Sequence, residues 1–318
     1  MKEISIRRQK RKMLLQSMAQ YLDAAVYAEP TMCRLDPKVR ATFNGEVIQV
    51  GDNEIWKEAL YFPCRQTFVD WEMCQATFIG TATNEAILEE IRTPYPKKAF
   101  KWDNIREHNR SSCKWWYYFV RLHLNENGYI DEIEEISLEN HLIHFKATPQ
   151  DYPQRYHEFD WPIAIEDRMS REEMILAADS YFDGLNRLCD WDQVLAHPDA
   201  MRYEEGEHCT NTKTDFHSLR TGFLNPLLKW EIANRRYVVV DETMGIVVAI
   251  VEFVTTGEKG CSPGFVAVEA FKVVDGLFRD IIVTHRPMCL KSGWEGGVPQ
   301  YKTEKVSDTE SNEEGEEI

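Results

Sequence analysis

Near the N-terminus the apolar positions follow a helical period. Leu14, Leu15, Met18, Tyr21, Leu22 and Ala25 form one stripe of an α-helix. The same stripe returns 160 residues later as Met174, Ile175, Ala178, Tyr181, Phe182 and Leu185. Both stripes keep tyrosine, a hydrophobe and aspartate in a row, in QYLDAAVY and SYFDGLNR. Ser170, with Glu173 three residues on, has the pattern of a capping box, so the second helix is expected to start there.

Strand-like runs repeat as well. FVDWEMCQATFIGTA, from Phe68 to Ala82, is echoed by VVDETMGIVVAIVEF, from Val239 to Phe253. In each, an apolar run meets Val-Asp, then two residues, then Met, and a second apolar run follows. Asp70 and Asp241 are expected to bond nearby backbone in hairpin turns, a structural role. A third echo relates RLHLNENGYIDEIEEI, from Arg121, to EAFKVVDGLFRDIIVT, from Glu269. Asn127-Gly128 and Asp275-Gly276 within it predict two-residue hairpin turns.

The three echoes keep one order at offsets of 160, 171 and 148. Changing offsets mean loop insertions in a divergent duplication. The stretch from Asp70 to Gly128 is longer than that from Asp241 to Gly276, which puts an insertion within Asn84 to Arg110. The expected division is a first domain over 13–137, an aromatic and proline-rich connector over 138–169, a second domain over 170–290 and an acidic tail over 291–318. Each domain reads as a long helix, a short irregular segment and an antiparallel meander. That is the α+β class, in which a helix covers the apolar face of a curved sheet.

Composition narrows the function. Hydrophobic residues make up 43% and aromatics 12%, as packed cores require. A net charge of −16 argues against nucleic acid as a partner, since phosphate contacts need a basic surface. Residues 2–12 carry six basic and one acidic side chain, and 302–318 carry seven acidic and two basic. The tail is expected to be a solvated end. No apolar run reaches the roughly 18 residues of a membrane span, and no secretory h-region follows the basic start. Eight scattered cysteines without a C-x-x-C pair suit reduced thiols and a cytoplasmic setting, and leave no zinc site. G-x-S-x-G, H-E-x-x-H, Walker and G-x-G-x-x-G patterns are absent. No cofactor and no metal are expected.

The duplicated helix-plus-meander pattern resembles the cone-shaped fold of the nuclear-transport-factor-2-like, or SnoaL-like, superfamily. HPDAMRYEEGEHCTNT after SYFDG, with RRYVVVDETMGIVVAIVEF downstream, is similar to a fungal family of tandem domains of this kind. The resemblance runs from about Met13 to Thr284 and is more specific in the second half. It implies two tandem cones, each a long N-terminal helix packed on a curved antiparallel sheet around an apolar cavity. Relatives include ketosteroid isomerases, dehydratases, epoxide hydrolases and polyketide cyclases. They commonly work without a cofactor, through acids and bases around the cavity.

The candidate residues are therefore polar groups on inward faces. In GFVAVEAFKV one strand face presents Phe265, Ala267, Glu269, Phe271 and Val273. A lone carboxylate among apolar neighbours would have the raised pKa that a general acid or base needs. The alternatives are an outward face or an arginine partner. Tyr181 lies on the inward helix stripe, where the resembling isomerases place an oxyanion-binding tyrosine. Arg236, on a face with Val238 and Val240, and the group His197, Asp199 supply charge or a second proton carrier. His197-x-Asp199, with His285, also has the outline of a non-haem iron triad, but that site belongs to a jelly-roll barrel. Capping of the turn around Pro198 is the plainer role for His197. In the first domain, Tyr21, Trp56, Arg121 and His123 are the candidate substrate-binding residues, joined by Phe271 in the second. Arg121 falls opposite Glu269 when the two hairpins are aligned on their glycines. A salt bridge is its plainer role.

Two functions of different class follow. One is a cofactor-independent acid–base enzyme of fungal secondary metabolism, acting on a hydrophobic polyketide, terpenoid or alkaloid by isomerisation, cyclisation, dehydration or epoxide opening. The other is a non-catalytic small-molecule-binding or assembly module, with a homodimer as a candidate assembly. Polar groups converging in the cone favour the enzyme, and an exposed apolar sheet face favours the module.

Overall fold

The computed structural model describes residues 2–85, 113–139, 149, 156–186, 190–210, 219, 230–255 and 264–287. The expected insertion and the acidic tail fall almost wholly outside them. The first half contains α1 (Lys2–Tyr27), β1 (Leu35–Phe43), β2 (Glu46–Ile48), the short α2 (Glu54–Glu58), β3 (Arg65–Asp70), β4 (Gln75–Thr83), β5 (Trp115–Leu124) and β6 (Ile130–Glu139). The second half contains α3 (Arg171–Leu185), β7 (Ala196–Glu204), β8 (Glu207–His208), β9 (Trp230–Asp241), β10 (Ile246–Thr255), β11 (Phe265–Val274) and β12 (Leu277–Pro287). One sheet has the order β2-β1-β6-β5-β4-β3, and the other repeats it as β8-β7-β12-β11-β10-β9. The chain is α+β, with two tandem cone-shaped domains of one topology.

The sheets are mixed rather than antiparallel throughout, because β1 runs parallel to β6 and β7 parallel to β12. These strands follow a helix rather than a hairpin, so no tight turn sets their direction. The capping box of α3 is present, with the Ser170 hydroxyl accepting from Glu173 N–H at 3.3 Å and Glu173 accepting from Ser170 N–H at 2.8 Å. Asp70 accepts from the Glu72 and Met73 N–H groups at 3.1 and 2.9 Å, and Asp241 from those of Thr243 and Met244 at 3.1 and 3.3 Å. Among the described residues no helix is long and apolar enough to cross a membrane.

Each sheet has an inner face packed on its own helix and an outer face packed on the other domain. Leu14, Met18, Tyr21, Phe78, Val120 and Ile133 build the first inner core, and Met174, Phe182, Val247, Ala267, Phe271 and Ile281 the second. A third core joins Phe68, Ile79, Phe119 and Ile136 of one sheet to Val239, Val248, Val268 and Ile282 of the other. The hairpin aspartates lock this joint reciprocally. Asp70 pairs with Arg171 at the start of α3 at 2.6 Å, and Asp241 pairs with Arg11 of α1. Arg11 and Arg171 stand 160 residues apart, the offset of the helix stripes.

Two expected cavity arginines lie in this joint instead. Arg236 donates to Glu134 across it at 3.0 and 2.5 Å. Arg121 binds Glu134, Gln75 and Glu132 at 3.1, 2.9 and 2.9 Å. For Arg236 the cause is a β-bulge: Val248 pairs with Val239 but Ala249 with Tyr237, so Val238 is extra. Val238 and Val239 therefore both face the joint, Arg236 shares that face, and Val240 turns inward. For Arg121 the cause is loop length. Asp275-Gly276 is a two-residue turn between Val274 and Leu277, whereas Asn127-Gly128 sits in the longer loop between Leu124 and Ile130. Aligning the glycines slips the register by one, which exchanges the faces. Glu269 opposes Ala249 in β10, and the equivalent residue opposing Phe78 in β4 is Val120, not Arg121.

Candidate active site

Glu269 sits in the middle of β11, flanked by Ala249 on β10 and Val283 on β12. Strand alternation puts it on the inner face with Ala267, Phe271 and Val273. It is fully buried, and neither carboxyl oxygen makes a hydrogen bond. Desolvation is the main cause that raises its pKa to about 8, with Arg202 opposing and Glu204 reinforcing the rise. A neutral carboxyl is therefore the form at pH 7.

Arg202 and Glu204 come from β7 and form an ion pair with side chains 13% and 12% exposed. Arg202 Nε is buried and makes no hydrogen bond. Burial opposes its charge, but the carboxylate of Glu204 holds it protonated. Tyr181 of α3 completes the group. Burial raises its pKa far above the phenol range, while Arg202 pulls it down and Glu269 pushes it up. Its ring packs edge-on against Phe271 and Phe278 at 5.8 Å centroid distances. The site thus joins a neutral carboxyl, a phenol and a fixed guanidinium within an aromatic wall. It can hand over a proton and stabilise negative charge on an oxygen.

The remaining candidates lie elsewhere. His197 and Asp199 belong to a bulge: Phe278 pairs with Ala196, yet Asp280 pairs with Met201. His197 Nδ1 accepts from Asp199 N–H at 3.1 Å, as Asp36 accepts from Lys38 N–H at 2.8 Å in the matching X-Pro bulge of the first domain. That is the turn-capping role. His285 lies at the other end of β12, with Nδ1 3.3 Å from Glu205 and 3.6 Å from Glu204. The iron triad is thus not assembled. Among the described residues no group of three or more His, Cys, Asp and Glu side chains is arranged for a metal. His123 contacts Asp131 at 2.6 Å beside the β5–β6 loop, away from the inner core.

Tyr21 and Trp56 are buried in the first inner core, ring centroids 5.3 Å apart and edge to face. There they meet a carboxyl that pattern reading missed. Glu135 of β6 is buried and accepts from Tyr118 O–H, and from Asn53 Nδ2 at 2.7 Å. Desolvation raises its pKa to about 7, against the hydrogen bonding of Tyr118 and the nearby Tyr21, Trp56 and Asn53. The Tyr21 O–H and Trp56 N–H lie close enough to lower that pKa, but neither reaches hydrogen-bond geometry. Glu134 and Glu135 are adjacent in sequence and only strand register tells which turns inward. Arg202 had a weak signal in the alternation Ala200-x-Arg202-x-Glu204.

Residues 167–284, the second domain, match the family described as Domain of unknown function (DUF8021). No curated protein matches the chain in sequence. Among solved structures, a ketosteroid isomerase candidate from Kribbella flavida is similar, at 19% identity, covering 42% of this chain and 87% of its own, with a TM-score of 0.28. A hydroxylase candidate, AclR, from Streptomyces galilaeus is 20% identical and covers 41% and 91%, with a TM-score of 0.28. A steroid delta-isomerase from Pseudomonas aeruginosa is 18% identical and covers 38% and 80%, with a TM-score of 0.21.

Proposed function

We propose that the chain is a cofactor-independent acid–base enzyme acting on a hydrophobic small molecule in the cone of the second domain. The observation that carries this reading is Glu269, a buried carboxyl with no hydrogen bond beside a buried arginine. Structural carboxyls in cores are paired or hydrogen-bonded, and a perturbed unpaired one is the mark of a working group. Glu269 gives the proton, while Arg202 and Tyr181 stabilise the oxygen on which charge develops. A neutral acid at pH 7 suits steps that begin with protonation, such as dehydration, epoxide opening or cyclisation. The natural-product setting in a fungus rests on the sequence resemblance alone. Free thiols at Cys33, Cys64, Cys74, Cys113 and Cys209 suit a reducing, cytoplasmic compartment. The assembly-module reading loses its main support, because the apolar outer sheet faces cover each other.

The test is turnover of a panel of apolar epoxides, tertiary alcohols and enolisable ketones by wild type and Glu269→Gln. An active member of the panel should lose about 10²–10⁴-fold in the variant. Retention of turnover within a few-fold, with the variant folded, would refute the assignment.

A further inference from the structure

The two copies of the fold serve as controls for each other at the turn between β7 and β8. Asn44 N–H donates to Glu135 O, and Glu205 N–H donates to Val283 O. Phe43 pairs with Glu135, and Glu204 with Val283. Asn44 and Glu205 therefore hold one position, and so do Ser137 and His285, two residues further along β6 and β12. Both turn residues have a left-handed backbone, with φ of 54° and 50°, and a glycine follows each. Asparagine adopts that conformation readily, and in the first copy its side chain accepts from Ser137 N–H at 2.9 Å. Glutamate does not, and here it is also buried, with its pKa raised to about 8 by desolvation and by Glu204. The second copy thus puts a strained, buried carboxyl and an imidazole where the fold is built with asparagine and serine. Their side chains meet: His285 Nδ1 lies 3.3 Å from Glu205 and 3.6 Å from Glu204.

His285 also stands close to Glu269. It opposes Ala267 in β11, as Val283 opposes Glu269, so it is the diagonal neighbour of Glu269 on the inner face. Diagonal neighbours lie about 7–8 Å apart, within reach of long side chains directly or through one water. Glu269 is fully buried, whereas the His285 side chain is 11% exposed, beside the ring of Phe265. A carboxyl sealed in this way gives up one proton and has no contact with water from which to regain it. Arg202 stays charged, Glu204 is its ion-pair partner, and the Tyr181 phenol is far from titrating. Histidine is the side chain that takes and gives protons near neutral pH. We propose that His285, held between Glu204 and Glu205, is the proton carrier that reloads Glu269 from solvent after each turnover. In that step an N–H bond of the imidazolium breaks and an O–H bond of Glu269 forms. The neutral ring then takes its next proton from water. The neighbouring carboxyls favour the charged ring that the step needs. The relay rests on the acid role given to Glu269.

Photolysis of o-nitrobenzaldehyde releases protons in a solution of the full chain and takes it from about pH 9 to about pH 7, across the folded-state value of Glu269. Time-resolved infrared absorption follows the carboxylic C=O band of Glu269 as it appears, each protein being referenced to its own Glu269→Gln variant. His285→Ser and Glu205→Asn install the residues that the first copy uses, so the turn has a precedent for folding. His285→Ser should slow the band by about 10²-fold, the low end of what a proton-transferring side chain contributes, and leave the equilibrium midpoint near 8. Imidazole added to the buffer should restore the rate, since serine leaves room for a free ring. Glu205→Asn, which also serves should His285→Ser fail to fold, should slow the band about tenfold, the effect of one pKa unit lost by the imidazolium. An unchanged rate in both variants, or a slowed one in His285→Ser that imidazole does not restore, would overturn the relay and leave the acid role of Glu269 standing. A wild type that shows no band at pH 7 would overturn that role, and the relay with it.

Discussion

Replacing Glu269 by glutamine should change how stability depends on pH, and the size follows from the burial. The folded-state pKa of about 8 lies above the ordinary 4.5. A raised carboxyl pKa means the folded state holds its proton while the unfolded chain releases it. The stability from this group is whole below pH 4.5, falls as pH rises, and levels off above about 8. The slope is about 1.4 kcal/mol per pH unit, or about 3 kcal/mol between pH 4.5 and 7. Glutamine keeps the shape and has no proton to lose. Its own contacts add an offset that does not depend on pH. Urea unfolding followed by tryptophan fluorescence at a series of pH values measures both proteins. Glu135 and Glu205, raised to about 7 and 8, bend both curves alike and cancel in the difference. The variant should gain on the wild type steadily across the window. Parallel curves would mean that Glu269 titrates normally and is solvated, and the argument from burial would fail.

Two further outcomes test the scaffold. Glu134→Leu leaves Arg236 buried in the joint without its carboxylate, and should cost about 3–5 kcal/mol by chemical denaturation, with little change in secondary structure. Ser170→Ala removes the capping box of α3 and should cost about 1 kcal/mol, seen as a lowered melting temperature.

The repeat was legible because helix stripes and hairpin aspartates depend on local period and turn chemistry. Tyr21, Tyr181 and Asp70 could be placed on their elements without a structure for that reason. Facing was legible only where strands are regular. Glu269 lies on the side that alternation indicates, within an unbroken stretch of β11 pairing. Arg236 does not, since one extra residue at Val238 reverses the alternation, and no residue type at that point signals it. Arg121 was assigned through a turn comparison in which one loop is longer. His197 looked like chemistry because histidine and aspartate are chemical residues, yet the proline between them makes a bulge that Asp36-Pro37 makes equally well. Glu135 was out of reach for a different reason: its partners Tyr118 and Asn53 come from β5 and from the cap of α2, and their meeting carries no local mark. Arg202 had only the weak alternation signal, because its neighbour Tyr181 comes from α3.

The claim at the centre is that Glu269 holds its proton at neutral pH inside the second cone. Infrared difference spectra of wild type against Glu269→Gln, taken through a pH series, report that proton through the carboxylic C=O band. The account predicts a band present at pH 7 in the wild type only, vanishing with a midpoint near 8. A band that disappears near the ordinary carboxyl value of 4.5 would contradict it.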